Sequence, residues 1–216
     1  MVDTKIFSLY KDLLKKYGDP EELWPDWCSK NKNLKTRELI ALGAILTQRT
    51  SWRNADLALR NLIKENLHTL EKIAQLSDLK KLTGLVRPAG FYTTKPKRLL
   101  AFSKFAIEEC GGIRGMLNQD MWPLRKKLLQ VYGIGPETAD TFLLYAFDKP
   151  SFVIDEYTKR FVRKYKLSAE NKTYDYLKEV FEDALPKDVM LFQNYHVLII
   201  VDQKGKEASR MENLII

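Results

Sequence analysis

Hydrophobic residues recur every three to four positions along most of this chain, which is the spacing of one buried face on an α-helix. The pattern predicts helices over 36–46, 54–65, 70–76, 97–110, 174–185 and 191–201, after a first amphipathic helix at the start of the chain. Thr36 is expected to cap the first of the six, because its hydroxyl can accept a backbone N–H. The sequence shows no sustained alternation typical of a β-strand. We therefore predict an all-α protein of about ten helices.

The stretch 128–160 combines two short amphipathic helices with a glycine turn between them. Gly133-Ile134-Gly135 predicts a turn, since glycine adopts positive φ angles and holds no side chain against a ligand. Pro136 follows at the preferred first position of a helix. The first N–H groups of that helix have no partner within it and attract anions. This arrangement predicts a phosphate-binding hairpin over about 122–148.

Asp155 follows the apolar run Phe152-Val153-Ile154 and precedes Lys159-Arg160. A glycine hairpin, a second helix and a terminal aspartate in this order resemble the helix-hairpin-helix and Gly-Pro-Asp (HhH-GPD) architecture of the endonuclease III superfamily of DNA glycosylases. The resemblance implies a two-lobed helical fold, with residues 1–30 and 150–216 in one lobe and 31–149 in the other. It also implies an active-site cleft between the lobes.

Composition and charge agree with a nucleic-acid partner. The 216 residues carry 36 Lys and Arg against 28 Asp and Glu, a net charge of +8, which suits a polyanion. The chain has no apolar run long enough to cross a membrane and no signal peptide at its start, so we expect a cytoplasmic protein. The resemblance narrows the expected partner to damaged double-stranded DNA, bound by a monomer.

Gln48 stands where superfamily members carry a glutamine that enters the duplex after the target base has left the stack. Its amide can replace hydrogen bonds of the lost base pair. The alternative is a helix-terminal residue that bonds its own backbone. The sequence leaves both interpretations open.

Three residues resemble a narrower group, the endonuclease III-like 3-methyladenine DNA glycosylases. That group has a Trp-Pro pair before the glutamine and an aromatic residue four positions after it, which here are Trp24-Pro25 and Trp52. The resemblance implies that these residues form the base pocket. Electron-rich ring faces suit a base with a positive charge, such as an N3- or N7-alkylated purine. Packing of either tryptophan in the core is the alternative.

The chemistry follows from Asp155 and from one departure at Glu137. A carboxylate at Asp155 stabilises the positive charge that builds on the deoxyribose, and it orients or deprotonates the attacking water. Bifunctional superfamily members carry a nucleophilic lysine two residues past the second hairpin glycine, where this chain has Glu137. A carboxylate cannot form an imine with the sugar. We therefore expect a monofunctional glycosylase for alkylated purines, with Asp140 as a structural or helix-surface acid.

The hairpin is also the expected site of contact with the DNA backbone. The expected contacts are Gly133, Gly135, Thr138 and Lys159. In the superfamily the hairpin carbonyls, here near Tyr132, Gly133 and Ile134, hold a monovalent cation that bridges to a phosphate. Side chains carry no sequence pattern for such a carbonyl site.

The end of the chain departs from many superfamily members, which hold a [4Fe–4S] cluster with four cysteines. This chain has only Cys28 and Cys110, so we expect no cluster and no other cofactor. Lys206 matches a lysine that the 3-methyladenine group carries in carbamylated form, and an exposed unmodified lysine is the alternative. His68 and His196 are too few and too separated for a metal site, and His196 is expected to be a packed or hydrogen-bonded helix residue.

Two other functions stay open at this point. A bifunctional glycosylase and AP lyase of the endonuclease III type, acting on oxidised bases, would need an amine nucleophile. Lys159 is the nearest candidate, although we expect it to contact phosphate. A non-catalytic HhH DNA-binding protein would need only the hairpin. Asp155 and the aromatic pocket candidates favour the enzyme.

Overall fold

Residues 4–167 and 172–211 are described by the computed structural model, and α-helices dominate them. The helices of this part are α1 (Thr4–Tyr17), α2 (Pro25–Cys28), α3 (Leu34–Thr47), α4 (Trp52–Lys64), α5 (Leu70–Ala74), α6 (Lys80–Leu85), α7 (Lys95–Lys104), α8 (Gly112–Leu117), α9 (Met121–Leu128), α10 (Pro136–Thr141), α11 (Glu156–Tyr165), α12 (Tyr174–Ala184), α13 (Val189–Lys204) and α14 (Lys206–Ser209). Two 3-10 turns (Pro20–Glu22 and Arg87–Ala89) and two π-helical turns (Phe105–Glu109 and Phe142–Ala146) accompany them. No β-strand occurs within these residues, which confirms the all-α prediction.

Many of the described helices are short. Their number exceeds the predicted ten because six of them span only four to six residues. A helix of one or two turns is too short to show a hydrophobic period. Within the described residues, no helix has the length and apolar character needed to cross a membrane.

The contacts divide the described residues into two compact units. Unit 1 contains those up to Lys30 and those from Asp148 onward, and unit 2 contains Asn31–Phe147. The active-site cleft that the resemblance implies between two lobes stays a prediction.

Tyr195 on α13 lies at the centre of the aromatic core of unit 1. Its ring centroid is 5.3 Å from that of Tyr10, 6.0 Å from those of Phe152 and Phe161, and 5.8 Å from that of Phe181. Its hydroxyl donates to a backbone carbonyl of α1 at 2.9 Å. Because these rings come from four helices and from the segment before Asp155, the cluster holds that segment against α1, α11, α12 and α13.

Helix α3 and the end of the hairpin form the core of unit 2. Every residue of α3 from Leu39 to Leu46 is buried. The π-helical turn that continues α10 is also buried throughout, and the ring of Phe142 lies 4.5 Å from that of Phe102 on α7. The second hairpin helix is therefore embedded in the core, while its first turn remains at the surface.

The N-cap predicted at Thr36 is wrong. Helix α3 begins at Leu34, and Asn33 caps it by accepting the N–H of Thr36 at 2.8 Å. Asparagine caps a helix at least as well as threonine does. Leu34 is 40% exposed, so the first turn of the helix lies outside the buried face that the periodic pattern shows.

A buried ion pair joins the two helices of the hairpin. Arg125 on α9 donates to both carboxylate oxygens of Asp140 on α10, at 2.8 and 3.0 Å. The Asp140 side chain has no exposure and that of Arg125 is 11% exposed. Asp140 is therefore a structural acid in the interior and does not lie on the helix surface.

We expect Asp140→Asn to lower the free energy of unfolding by about 3 kcal/mol, because it leaves a buried guanidinium without its counter-charge. The matched control is Asp56→Asn, which breaks the more exposed pair between Asp56 and Arg60 on α4. Asp56→Asn should lower the free energy of unfolding by only about 0.5 kcal/mol. Urea denaturation of both variants measures the difference, and equal losses would contradict the structural role of Asp140.

Candidate active site

Asp155 is the N-cap of α11, so its carboxylate stands at the start of a helix. One oxygen, Oδ1, accepts the N–H of Thr158 at 2.7 Å. The other, Oδ2, lies 3.5 Å from Nε2 of His196 on α13. The Asp155 side chain is 16% exposed, so part of the carboxylate faces solvent.

The protonation state of Asp155 follows from these neighbours. Burial by itself raises the pKa of the carboxyl, but His196 and the hydrogen bonds of Thr158 outweigh that effect and place the pKa below its ordinary value of 3.8. The N-terminus of α11 favours the anion as well. Asp155 is therefore a carboxylate at neutral pH, as the expected chemistry requires.

Trp24 packs next to this pair in unit 1. Its ring meets that of His196 edge-on, with centroids 6.4 Å apart at 88°, and its indole N–H donates to the carbonyl of Ser209 at 2.8 Å. It is only 6% exposed, so Trp24 belongs to the core as well as to the neighbourhood of Asp155. Pro25 opens α2 directly after it. Their part in a base pocket stays a prediction.

Two lysines of unit 1 have surface positions. Lys159 on α11 pairs with Glu156 at 2.7 Å, and its side chain is 34% exposed. The Lys159 amine therefore lies against the Glu156 carboxylate. A phosphate contact through Lys159 remains a prediction. Lys206 opens α14 after Gly205 and is exposed. Its carbamylation also stays a prediction.

The hairpin turn in unit 2 depends on one of its two glycines. Gly133 has φ of +80°, in the region that favours glycine, whereas Gly135 has φ of −93° and acts as the N-cap of α10. A Cβ at Gly133 would lie 2.3 Å from Cγ of Arg98, while a Cβ at Gly135 would meet nothing within 4 Å. The positive φ predicted for this turn is thus confined to Gly133, and Arg98 packs directly on it.

Gln48 follows α3 and is held by the hairpin. Its Nε2 donates to the carbonyl of Gly133 at 3.0 Å and to Oγ1 of Thr138 at 2.9 Å. Its Oε1 accepts from a guanidinium nitrogen of Arg98. The side chain therefore bonds the hairpin and not its own helix. Insertion into a duplex stays a prediction, and it would exchange these three bonds for bonds to bases.

The remaining predicted residues of unit 2 lie close to these elements. Thr138 is 8% exposed and its hydroxyl accepts a hydrogen bond from Gln48. A phosphate contact through its backbone N–H, in the first turn of α10, stays a prediction. Trp52 is half-buried at the start of α4.

Tyr132, the first residue of the predicted carbonyl cation site, is 58% exposed. The carbonyl of Gly133 already accepts Gln48, and a cation on the carbonyls from Tyr132 to Ile134 stays a prediction.

Lys95 is a buried cation that the sequence analysis missed. It has no exposure, and its Nζ donates to the carbonyls of Leu46 and Ala89 at 2.7 and 2.6 Å. These bonds fasten the end of α3, just before Gln48, to the start of α7. Burial, with a smaller effect of Arg98, lowers the pKa of Lys95 to about 8.

Three residues lie beside predicted site residues through packing that sequence reasoning did not anticipate: His196 in unit 1, and Arg98 and Lys95 in unit 2. One signal in the sequence could have pointed to His196, which is one of only two histidines in the chain. Arg98 and Lys95 lie in a lysine- and arginine-rich run, and nothing in that run distinguishes them from solvated charges.

Comparison with known proteins identifies the family. A sequence model of the HhH-GPD superfamily of base excision DNA repair proteins matches residues 42–187, which is more than half of the chain. The chain belongs to this superfamily. A relative from Methanocaldococcus jannaschii, named "Putative DNA repair glycosylase MJ1434", is 44% identical over 198 residues, covering 90% of this chain and 85% of the relative. The protein is accordingly a DNA glycosylase of base excision repair.

Solved structures confirm the fold of this glycosylase. The 3-methyladenine DNA glycosylase MagIII of H. pylori, bound to 1,N6-ethenoadenine, has a TM-score of 0.74 at 30% identity and covers 97% of this chain and 98% of its own. A non-covalent complex of endonuclease III with DNA has a TM-score of 0.72 over 93% of this chain and 86% of the other. Its 15% identity shows the fold alone. The predicted resemblance to the endonuclease III superfamily is confirmed.

We expect Gly133→Ala to lower the free energy of unfolding by about 1–2 kcal/mol, because alanine is strained at positive φ. Displacement of Arg98 adds to this loss. Gly135→Ala, at a negative φ with open space around it, is the control and should cost only about 0.5 kcal/mol, for the replacement of a glycine N-cap by alanine. Chemical denaturation compares the two, and equal stabilities would contradict the geometry of the turn.

We expect the stabilities of wild type and Lys95→Met to diverge with pH. Between pH 8 and 10.5 an unfolded chain holds the lysine proton that the native state has released, so raising the pH favours the native wild type. The wild type should gain about 2–3 kcal/mol over the variant across this range. Urea unfolding at pH 7.5, 9 and 10.5 measures it, and a pH-independent difference would show that Lys95 keeps an ordinary pKa.

Proposed function

We propose that this glycosylase hydrolyses the N-glycosidic bond of alkylated purines, of the 3-methyladenine type, in duplex DNA, and that it has no AP lyase activity. The observation that carries the proposal is the Asp155 carboxylate, which is ionised, partly exposed and oriented by contacts from two helices. In this proposal Asp155 is the catalytic residue.

The reaction needs little beyond this carboxylate. As the bond between base and sugar breaks, positive charge develops on the deoxyribose, and a fixed carboxylate below the ring stabilises it. The same group orients the water that attacks C1′ and accepts its proton. Alkylation at N3 or N7 already places a positive charge on the base, so the base departs as a neutral molecule and needs no strong general acid.

Glu137 supports hydrolysis over covalent catalysis. It is exposed in the first turn of α10, at the position where a lysine would supply an imine-forming amine. Lys159, the other amine considered, is paired with Glu156 at 2.7 Å. An amine engaged by a carboxylate is a poor nucleophile.

The preference for alkylated purines is supported by the relative and by ring chemistry. MagIII of H. pylori, 30% identical to this chain, was solved with 1,N6-ethenoadenine. Trp24 lies beside the ring of His196, the neighbour of Asp155, and Trp52 is a half-buried aromatic residue of unit 2. Aromatic faces bind a positively charged base more strongly than a neutral one.

Binding of duplex DNA is supported by the hairpin and by charge. The N-terminus of α10 presents backbone N–H groups after Gly135, where no side chain blocks a phosphate. The net charge of +8 supplies long-range attraction. Endonuclease III, which shares the fold, has been solved in complex with DNA. The chemistry requires the target base to leave the stack, and the hairpin would fix the backbone while it does so.

We expect wild type to release methylated purines from alkylated duplex DNA, and Asp155→Asn to release them at least about 100-fold more slowly, since it removes the charge that stabilises the transition state. Asp56→Asn, the same substitution in the part-buried ion pair on α4, should behave as wild type. Chromatography of the released bases under single-turnover conditions gives the rates.

Two results would overturn the proposal. No release by wild type from duplexes carrying 3-methyladenine, 7-methylguanine or 1,N6-ethenoadenine would contradict the substrate class. Release by Asp155→Asn at the wild-type rate would contradict the role of Asp155.

A further inference from the structure

We propose that His196 is the positioning residue for Asp155: its Nε2 faces Oδ2 of the carboxylate and keeps the group in one orientation for the reaction. This inference rests on the proposed function and extends it to a residue outside the hairpin and outside the segment that carries Asp155. Both residues lie in unit 1.

Groups from two different helices face the two oxygens of the carboxylate. Oδ1 accepts the N–H of Thr158, which belongs to α11, at 2.7 Å. Oδ2 faces Nε2 of His196, which belongs to α13, at 3.5 Å. A single hydrogen bond at Oδ1 leaves the carboxyl plane free to rotate, and a hydrogen bond from His196 to Oδ2 would remove that freedom. In this structure Nε2 lies near Oδ2 at a distance longer than an ordinary hydrogen bond. Catalytic hydrogen bonds in ligand-free enzymes are commonly long and shorten when substrate binds.

The imidazole is itself held in place. The His196 side chain is 6% exposed, and it stands edge-on to the ring of Trp24 at a centroid distance of 6.4 Å. Trp24 is fastened in turn through its indole N–H to the carbonyl of Ser209 at 2.8 Å. Packing against Trp24 therefore fixes the imidazole, as a precise catalytic geometry requires.

The electrostatic effect of His196 points the same way. Around Asp155, the described groups that lower its pKa are His196 from α13 and Thr158 from α11. Of these two, His196 is the one that can carry a charge. Its loss would leave the burial of Asp155 opposed by Thr158 alone, so the carboxyl would protonate at a higher pH.

A packing role and a positioning role differ in what a substitution preserves. His196→Gln places an amide N–H donor near the position of Nε2, whereas His196→Leu keeps bulk and removes the donor. If His196 only fills space, the two variants should behave alike. If it positions Asp155, glutamine should restore much of the function that leucine loses.

The experiment compares wild type, His196→Gln and His196→Leu, with His68→Leu as a control at the other histidine of the chain. The first readout is the titration of the Asp155 carboxyl carbon by NMR, which needs no substrate. The second is the single-turnover rate of base release, with the Kd for the lesion-bearing duplex measured alongside it.

We expect the Asp155 pKa to rise in His196→Leu and to rise less in His196→Gln. We also expect His196→Leu to slow base release by about 10- to 100-fold with Kd for DNA within about twofold of wild type, since a misoriented catalytic group costs rate and not binding. His196→Gln should recover most of the rate, and His68→Leu should match wild type.

An unchanged Asp155 pKa and rate in His196→Leu would overturn the inference. Equal slowing by leucine and glutamine in folded variants would do so as well, because it would assign His196 to packing. Failure of wild type to release any base would instead contradict the proposed function, and the carboxyl titration would still decide whether His196 holds Asp155.

Discussion

The hydrogen bond from the Thr158 N–H to Oδ1 of Asp155 is the contact on which the site depends. It makes one side chain both the cap of α11 and the proposed reacting group, so the folding of the helix also places the carboxylate. A cap of this kind contributes only about 1 kcal/mol. Its importance lies in geometry, because the helix start favours the anion and leaves Oδ2 for His196.

The cap is effective because the segment before Asp155 is fastened to α12. The N–H of Phe152 donates to Glu182 at 2.8 Å, and Lys178 donates to the hydroxyl of Ser151 at 2.6 Å. Lys178 and Glu182 also pair with each other in the interior. The Phe152 ring packs into the aromatic core of unit 1 at the same time. These contacts hold the segment immediately before Asp155 in place, although that segment is not helical.

Sequence reasoning identified features that depend on local residue order and missed features that depend on packing. The catalytic role of Asp155 stays a proposal, whereas the fold and the family were predictable, because the glycine hairpin, the second helix and the aspartate are close in sequence and stand in a distinctive order. The proximity of His196 to Asp155 was not, since it arises only when α13 packs against α11. Gln48 was singled out by the resemblance to the superfamily, but its bonds to the hairpin depend on a tertiary contact that the sequence does not show. The cap of α3 was misplaced because Asn33 and Thr36 are both good caps one turn apart.

The central claim is hydrolysis at Asp155 with no covalent bond between enzyme and DNA. The most direct measurement is a single-turnover reaction on a duplex with one alkylated purine, run with and without sodium borohydride and resolved on a denaturing gel. We predict a released base, a strand that stays intact until alkali is added, and no protein–DNA adduct. A borohydride-trapped adduct, or strand cleavage without alkali, would contradict the claim and would identify an amine nucleophile in place of Glu137.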